Sequence, residues 1–74
     1  MKYKVIKMKK GKLKERREEL GLSQQQLARF PGCDHSYLSL IENGKRVPRY
    51  PWLKVVADAL MVEVDALADV KEMD

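Results

Sequence analysis

Cysteine is nearly absent from these 74 residues: Cys33 stands alone, so the chain cannot build a disulfide or a cysteine zinc cluster by itself. A lone cysteine fits a reducing cytosol. Histidine is as scarce, with His35 the only one. No Gly-rich phosphate loop, metal-ligand cluster or carboxylate pair in a recognisable motif accompanies it, so the elements of a catalytic or cofactor centre are missing. Neither enzyme activity nor a cofactor or metal is therefore expected. No apolar run approaches the ~20 residues that a transmembrane helix needs. The basic start is not followed by the apolar stretch of a signal peptide. The expectation is a soluble cytoplasmic protein with no membrane part.

Charge, by contrast, is plentiful. Fifteen Lys and Arg against eleven Asp and Glu give a formal net charge of +4, and the isoelectric point lies near 9.3. Placement says more than the total. Residues 1–14 hold seven lysines and no acid, whereas residues 58–74 hold six acids and one lysine. Such asymmetry turns one end of a molecule toward a polyanion and the other away, unless both ends are solvated tails. A chain this short buries only about 60% of its unfolded surface, so it is expected to form one domain around a compact, locally connected core.

Residues 1–11 read as a basic extension. Tyr3, Val5 and Met8 alternate loosely with Lys2, Lys4 and Lys7, as in an amphipathic strand or an extended arm. Two readings stay open. The strand could pair with its counterpart across a dimer, because the rest of the chain looks helical and an unpaired edge is a liability. Alternatively, the lysines could follow a phosphate backbone as a mobile arm.

From Lys12 the period becomes helical: Leu13, Arg16 or Arg17, and Leu20 share a face, and Gly21 can take the positive φ that ends a helix. Ser23 and Gln26 make an S-x-x-Q capping box for a second helix, Gln24–Arg29, with Leu22 placed to staple onto Leu27. Pro31 disfavours helical geometry at Phe30 and ends it. Asp34 is a good N-cap for a third helix, His35–Asn43, whose Leu38 and Ile41 point inward. Asn43-Gly44 leads into a basic connector over residues 45–49. Pro51 suits the first turn of a fourth helix, in which Leu53, Val56, Ala57 and Leu60 keep i, i+3, i+4, i+7 spacing. A fifth, short helix is expected over Val64–Ala68, with an acidic tail at residues 70–74. The fold class is all-α, apart from a short N-terminal strand.

Two short helices joined by a glycine-containing turn make a helix-turn-helix unit. The stretch Leu20-Gly-Leu-Ser-Gln-Gln-Gln-Leu-Ala28, the turn glycine Gly32, the run Leu38-Ser-Leu-Ile-Glu-Asn-Gly-Lys45, Pro48 and Ala57-Asp-Ala-Leu60 resemble the Cro- and phage-repressor-like family. That family is also called the xenobiotic-response-element (XRE) helix-turn-helix family. The resemblance covers about residues 12–68 and places the domain at residues 12–69. It implies a five-helix, lambda-repressor-like domain and a transcriptional regulator, by expectation a repressor, whose third helix enters the major groove of double-stranded DNA. By the same resemblance His35, Ser36 and Leu40 read bases, with Ser39 close by, and Gln24 holds a phosphate; Asn43, Lys45 and Arg46 follow the third helix and are placed to hold phosphates on its other side. Arg17 and Glu42 would form an ion pair that aims the third helix, and a homodimer would form through Met61–Leu67.

Helical geometry agrees with the base-reading set: with Leu38 and Ile41 turned inward, residues 36, 39, 40 and 43 lie on the other side. A serine hydroxyl can donate or accept at a base edge, and Leu40 could pack on a thymine methyl. Plainer roles stand beside these. Leu40 could be an ordinary exposed leucine, Lys45 and Arg46 ordinary solubilising charges, and Tyr37 a packing residue beside the reading face. Cys33 precedes the cap Asp34 and reads as a structural staple onto Leu38; Trp52 reads as core or interface filler. Three features depart from the family pattern: Pro31 in place of an aliphatic residue, with Phe30 placed to cover the gap; Met61 in place of a helix-ending glycine; and the lysine-rich extension. The competing function is an antitoxin or adaptor that binds a protein partner, with Leu67, Val70 and Met73 of the acidic end as its docking residues.

Overall fold

The computed structural model describes residues 2–74. Strand β1 (Tyr3–Met8) is followed by helices α1 (Lys12–Glu19), α2 (Gln24–Ala28), α3 (His35–Glu42) and α4 (Tyr50–Ala59), a single 3-10 turn (Val64–Ala66) and strand β2 (Ala68–Met73). The local start signals operate as read. Ser23 Oγ accepts from the Gln26 N–H at 3.0 Å while Gln26 Oε1 accepts from the Ser23 N–H at 2.8 Å, closing the capping box of α2. Arg29 and Asn43 serve as C-caps, so α2 and α3 each stop one residue short of the expected end.

The core is assembled from one face of each helix. Leu27 of α2, Leu38 of α3, Leu53 and Val56 of α4, and Leu60 and Leu67 beyond it are fully buried, and Leu13 of α1 closes one side. Each such side chain stabilises the fold by roughly 1.5–3 kcal/mol relative to exposure. At the end of α4, Met61 takes a φ of 58°, the left-handed conformation usually given to glycine. Its N–H and that of Val62 bond the carbonyls of Asp58 and Ala57 at 3.1 and 3.0 Å, which satisfies the last turn. Between α2 and α3, the Cys33 N–H bonds the Ala28 carbonyl at 3.0 Å. Phe30 is 57% exposed there, so it does not cover the space beside Pro31 as expected.

The main departure from the sequence reading is at the chain ends. β1 and β2 pair with each other, antiparallel, with Tyr3 opposite Met73 and Met8 opposite Ala68. The expected five-helix, all-α architecture is corrected to four α-helices and a two-stranded sheet. The fifth helix shrinks to one 3-10 turn, and the acidic tail at 70–74 is largely strand. The mobile-arm reading of residues 1–10 gives way for the described part, 2–10, because β1 is paired within the chain, and the missing internal partner on which the dimer-strand reading rested is supplied by β2; Met1 lies outside the described residues.

The register brings the two charged ends together. Lys4 lies opposite Glu72 and Lys7 opposite Asp69, while the ion pair near the sheet joins Lys9 to Asp69 at 3.9 Å and Lys4 Nζ lies 4.7 Å from the Tyr50 ring centroid. The basic and acidic ends therefore sit side by side instead of at opposite poles. The buried face also differs. Ile6, Met8 and Val70 pack against the core beside buried Ala68, whereas Tyr3 and Val5 are 55% and 47% exposed. Met8 cannot share a face with Tyr3 and Val5, because strand side chains alternate with a period of two. Leu67 is buried and Val70 half-buried, so of the three suggested docking residues only Met73 is exposed. Among the described residues no helix is long and apolar enough to cross a membrane.

Removing residues 1–10 should therefore strip Ile6 and Met8 from the core and leave β2 unpaired. Thermal unfolding should show a lower Tm by the same margin at every protein concentration, because the lost contacts are within one chain. An unchanged Tm would contradict the internal pairing.

Candidate nucleic-acid interface

Helix α3 is fixed on three sides, and only the fourth is open. At its start, Asp34 Oδ1 accepts from the Ser36 N–H at 3.0 Å. The Ser36 N–H and then its hydroxyl hold the Asp34 carboxyl below the ordinary carboxylate value. His35 Nδ1 lies 3.3 Å from the same carboxylate oxygen. On the inward side, Leu38 and Ile41 are buried to 0% and 2% exposure.

The C-terminal end is held by charge. Arg17 Nε donates to Glu42 Oε2 at 2.7 Å and Nη2 to Oε1 at 3.1 Å, a two-pronged contact. Arg17 Nη1 donates to the Leu22 carbonyl at 2.8 Å, and the Gln24 amide donates to Glu42 Oε1 at 2.9 Å. The two charged side chains are only 9% and 3% exposed. The hydrogen bond to Glu42 raises the Arg17 guanidinium above its already high value, against the opposing effect of burial. One carboxylate thus ties α1, the α1–α2 loop and the start of α2 to the last residue of α3. The contact between Arg17 and Glu42 implied by the family resemblance is present.

On the open side, His35, Ser36 and Leu40 are exposed and Ser39 is half-buried, with Leu40 at 40%. Residues 36, 39, 40 and 43 form one ridge opposite Leu38 and Ile41. Asn43 Nδ2 donates along it to Ser39 Oγ at 3.3 Å. The exposed Lys45 and Arg46 follow at its C-terminal end. The Gln24 side chain is committed to Glu42 instead of pointing outward, and its backbone N–H, at the start of α2, is one of the donors that a helix cannot satisfy internally.

Arg46 is exposed but contacts a neighbouring ring. Its guanidinium lies over the Tyr37 ring, 5.3 Å from the centroid. Tyr37 in turn packs edge-to-face on Trp52, with centroids 5.7 Å apart and planes at 78°. The Trp52 indole N–H reaches Cys33 Sγ at 3.4 Å. This stack links the turn before α3, α3 itself, the connector and α4. Sequence spacing carried no sign of it, because contact among residues 37, 46 and 52 depends on how the connector folds back. It agrees with a structural role for Cys33.

These features define a helix-turn-helix domain that presents its third helix to solvent. Residues 11–70 match the family described as helix-turn-helix domain. Among solved structures, the chain is similar to the restriction-modification controller protein C.AhdI from Aeromonas hydrophila: TM-score 0.70 and 36% identity, over 74% of this chain and 83% of that one. It is also similar to SinR, the master regulator for biofilm formation, in complex with DNA, with TM-score 0.66 and 37% identity over 72% and 86% of the two chains. An HTH_3 family transcriptional regulator from Vibrio cholerae matches at TM-score 0.66 and 31% identity, over 74% of this chain and 31% of that one. Comparison with curated proteins finds no match. The chain belongs to the helix-turn-helix domain family, in its Cro- and phage-repressor-like (XRE) group.

Replacing Arg17 with Met should strand the Glu42 charge and cost about 3–5 kcal/mol. The double variant Arg17→Met, Glu42→Leu should regain most of that in urea unfolding. A cost under about 0.5 kcal/mol for the single variant, the range of ordinary surface changes, would show that the pair does not anchor α3.

Proposed function

We propose that this chain is a sequence-specific, double-stranded-DNA-binding transcriptional regulator, acting as a repressor, that inserts α3 into the major groove. The carrying observation is the ridge of Ser36, Ser39 and Leu40 on a helix whose remaining sides are fixed by Asp34, by Leu38 and Ile41, and by the Arg17–Glu42 pair. A groove-reading helix needs that combination of a free polar face and a rigid mount. The likeness to SinR, whose structure is of a DNA complex, supports the reading.

In this reading, Ser36 donates or accepts at a base edge, His35 and Ser39 flank it, and Leu40 packs on a thymine methyl. Asn43, Lys45 and Arg46 hold phosphates beyond the end of α3, and the Gln24 N–H takes another at the start of α2. The protein acts by binding in the cytoplasm and is not an enzyme. Two copies pair through Met61–Leu67, where Met61 is 72% exposed. Their recognition helices then meet half-sites one DNA turn apart, ~34 Å.

Selection of bound sites from random duplexes, at stated salt, tests this directly. Ser36→Ala and Leu40→Ala should each change the preferred base at one position, by ~1–3 kcal/mol of discrimination. Lys45→Gln and Arg46→Gln should weaken all duplexes alike. If both α3 variants leave affinity and preference untouched, α3 does not lie in the groove.

A further inference from the structure

We propose that Lys10 and Lys14 form a second grip on the DNA backbone, at a cleft between the β1–α1 corner and the C-terminal end of α3. The proposal rests on the DNA-binding reading above and adds a phosphodiester site that the third helix and its connector do not supply. The cleft has a volume of about 380 Å³, with Leu13 and Ile41 buried at its base. Lys10, Lys14, Asn43 and Gly44 are exposed along its mouth. Gly11, at φ 77°, turns the chain from strand into helix there, so that lysines on either side of the turn line one cleft.

The lysines of the N-terminal segment differ in their surroundings. Lys9 bonds the Asp65 carbonyl and lies 3.9 Å from the Asp69 carboxylate. Lys12 lies 4.0 Å from Glu15, and Lys7 sits opposite Asp69 in the sheet. Lys2, Lys4, Lys7, Lys10 and Lys14 have no carboxylate within 4.0 Å among the described residues, and of these Lys10 and Lys14 line the cleft. Their charge is available to a ligand.

The opposite wall does not repel an anion. Glu42 lines the cleft, but its carboxylate already accepts two hydrogen bonds from Arg17 and one from Gln24. The last carbonyls of α3 are also occupied: Ser39, Leu40 and Ile41 accept from the N–H groups of Asn43, Lys45 and Gly44 at 3.0, 2.9 and 3.1 Å. Lys45 and Arg46 continue directly from Gly44, so basic groups stand on both sides. The cleft is open and its cations are solvated, a poor trap for one small anion. It suits a polyanion whose charges repeat at fixed spacing and whose position is already set by α3.

The test is the salt dependence of binding to a short random-sequence duplex, measured for the wild type and for Lys10→Gln/Lys14→Gln. A Lys7→Gln/Lys54→Gln variant, which loses the same net charge from residues that do not line the cleft, serves as control. The slope of log K against log salt should become shallower by about 2 in Lys10→Gln/Lys14→Gln, at roughly 0.9 per lost phosphate contact. It should stay unchanged in the control. Lys10→Gln alone should remove about one unit of slope, and Lys10→Arg/Lys14→Arg should retain it. Base preference should be the same throughout. If Lys10→Gln/Lys14→Gln only tracks the control while Leu40→Ala still shifts preference, the cleft site is wrong and the DNA reading stands. If the wild type binds no duplex at any salt, both fall together.

Discussion

The Glu42 carboxylate decides where α3 sits. Placing a carboxylate and a guanidinium at 3% and 9% side-chain exposure is costly, because both leave water. Well-packed apolar residues of similar volume often serve stability equally well. What an apolar pair cannot supply is direction. Two nitrogens of Arg17 and one of Gln24 define the position of Glu42 to within hydrogen-bond tolerance, and Arg17 is itself pinned to the Leu22 carbonyl. In the proposed reading α3 presents Ser36, Ser39 and Leu40 to a rigid partner and needs this definition, since displacements of about 0.5 Å matter at such a contact. Asp34 at the other end and the Tyr37–Trp52 contact alongside complete the mount.

The parts of the fold that were legible in the sequence are those whose information is local. Ser23-x-x-Gln26 announces α2 and Asp34 announces α3, because each cap satisfies donors within three residues of itself. The spacing of Leu53, Val56, Ala57 and Leu60 announces α4 because one helix face is buried. β2 was not legible. Its residues Ala68, Asp69, Lys71 and Glu72 belong to types depleted in strands, and its partner lies at the other end of the chain. A signal was present in another form: lysine concentrated at one terminus and acid at the other is compatible with cross-strand pairing. Read as polarity toward a partner, it pointed away from the sheet. Met61 shows the converse, a position where the conformation expected of glycine is kept without the glycine.

The interface was legible to a similar degree and for similar reasons. The ridge residues followed from the period of α3. The placement of Arg46 over Tyr37 did not, because it joins elements that no short spacing relates. Four of the cations without a carboxylate within 4.0 Å stand around the end of α3. Lys10 and Lys14 line one side of the cleft there, and Lys45 and Arg46 continue from the other. Lys9, Lys12, Arg16, Arg17 and Lys54 each lie within 4.0 Å of a carboxylate and are offset locally. The sheet therefore has two consequences. It closes the core beneath Ile6 and Met8, and it delivers the chain at a fixed angle into α1, which carries Arg17.

Amide chemical-shift mapping of the labelled protein, titrated with duplex DNA, tests the central claim that a rigidly mounted α3 meets the groove. The largest changes should fall on residues 34–46 and on Gln24, with Arg17 and Glu42 keeping their side-chain contact in the complex. Dominant changes on the exposed face of the sheet, at Tyr3, Val5 and Met73, with α3 undisturbed, would contradict it.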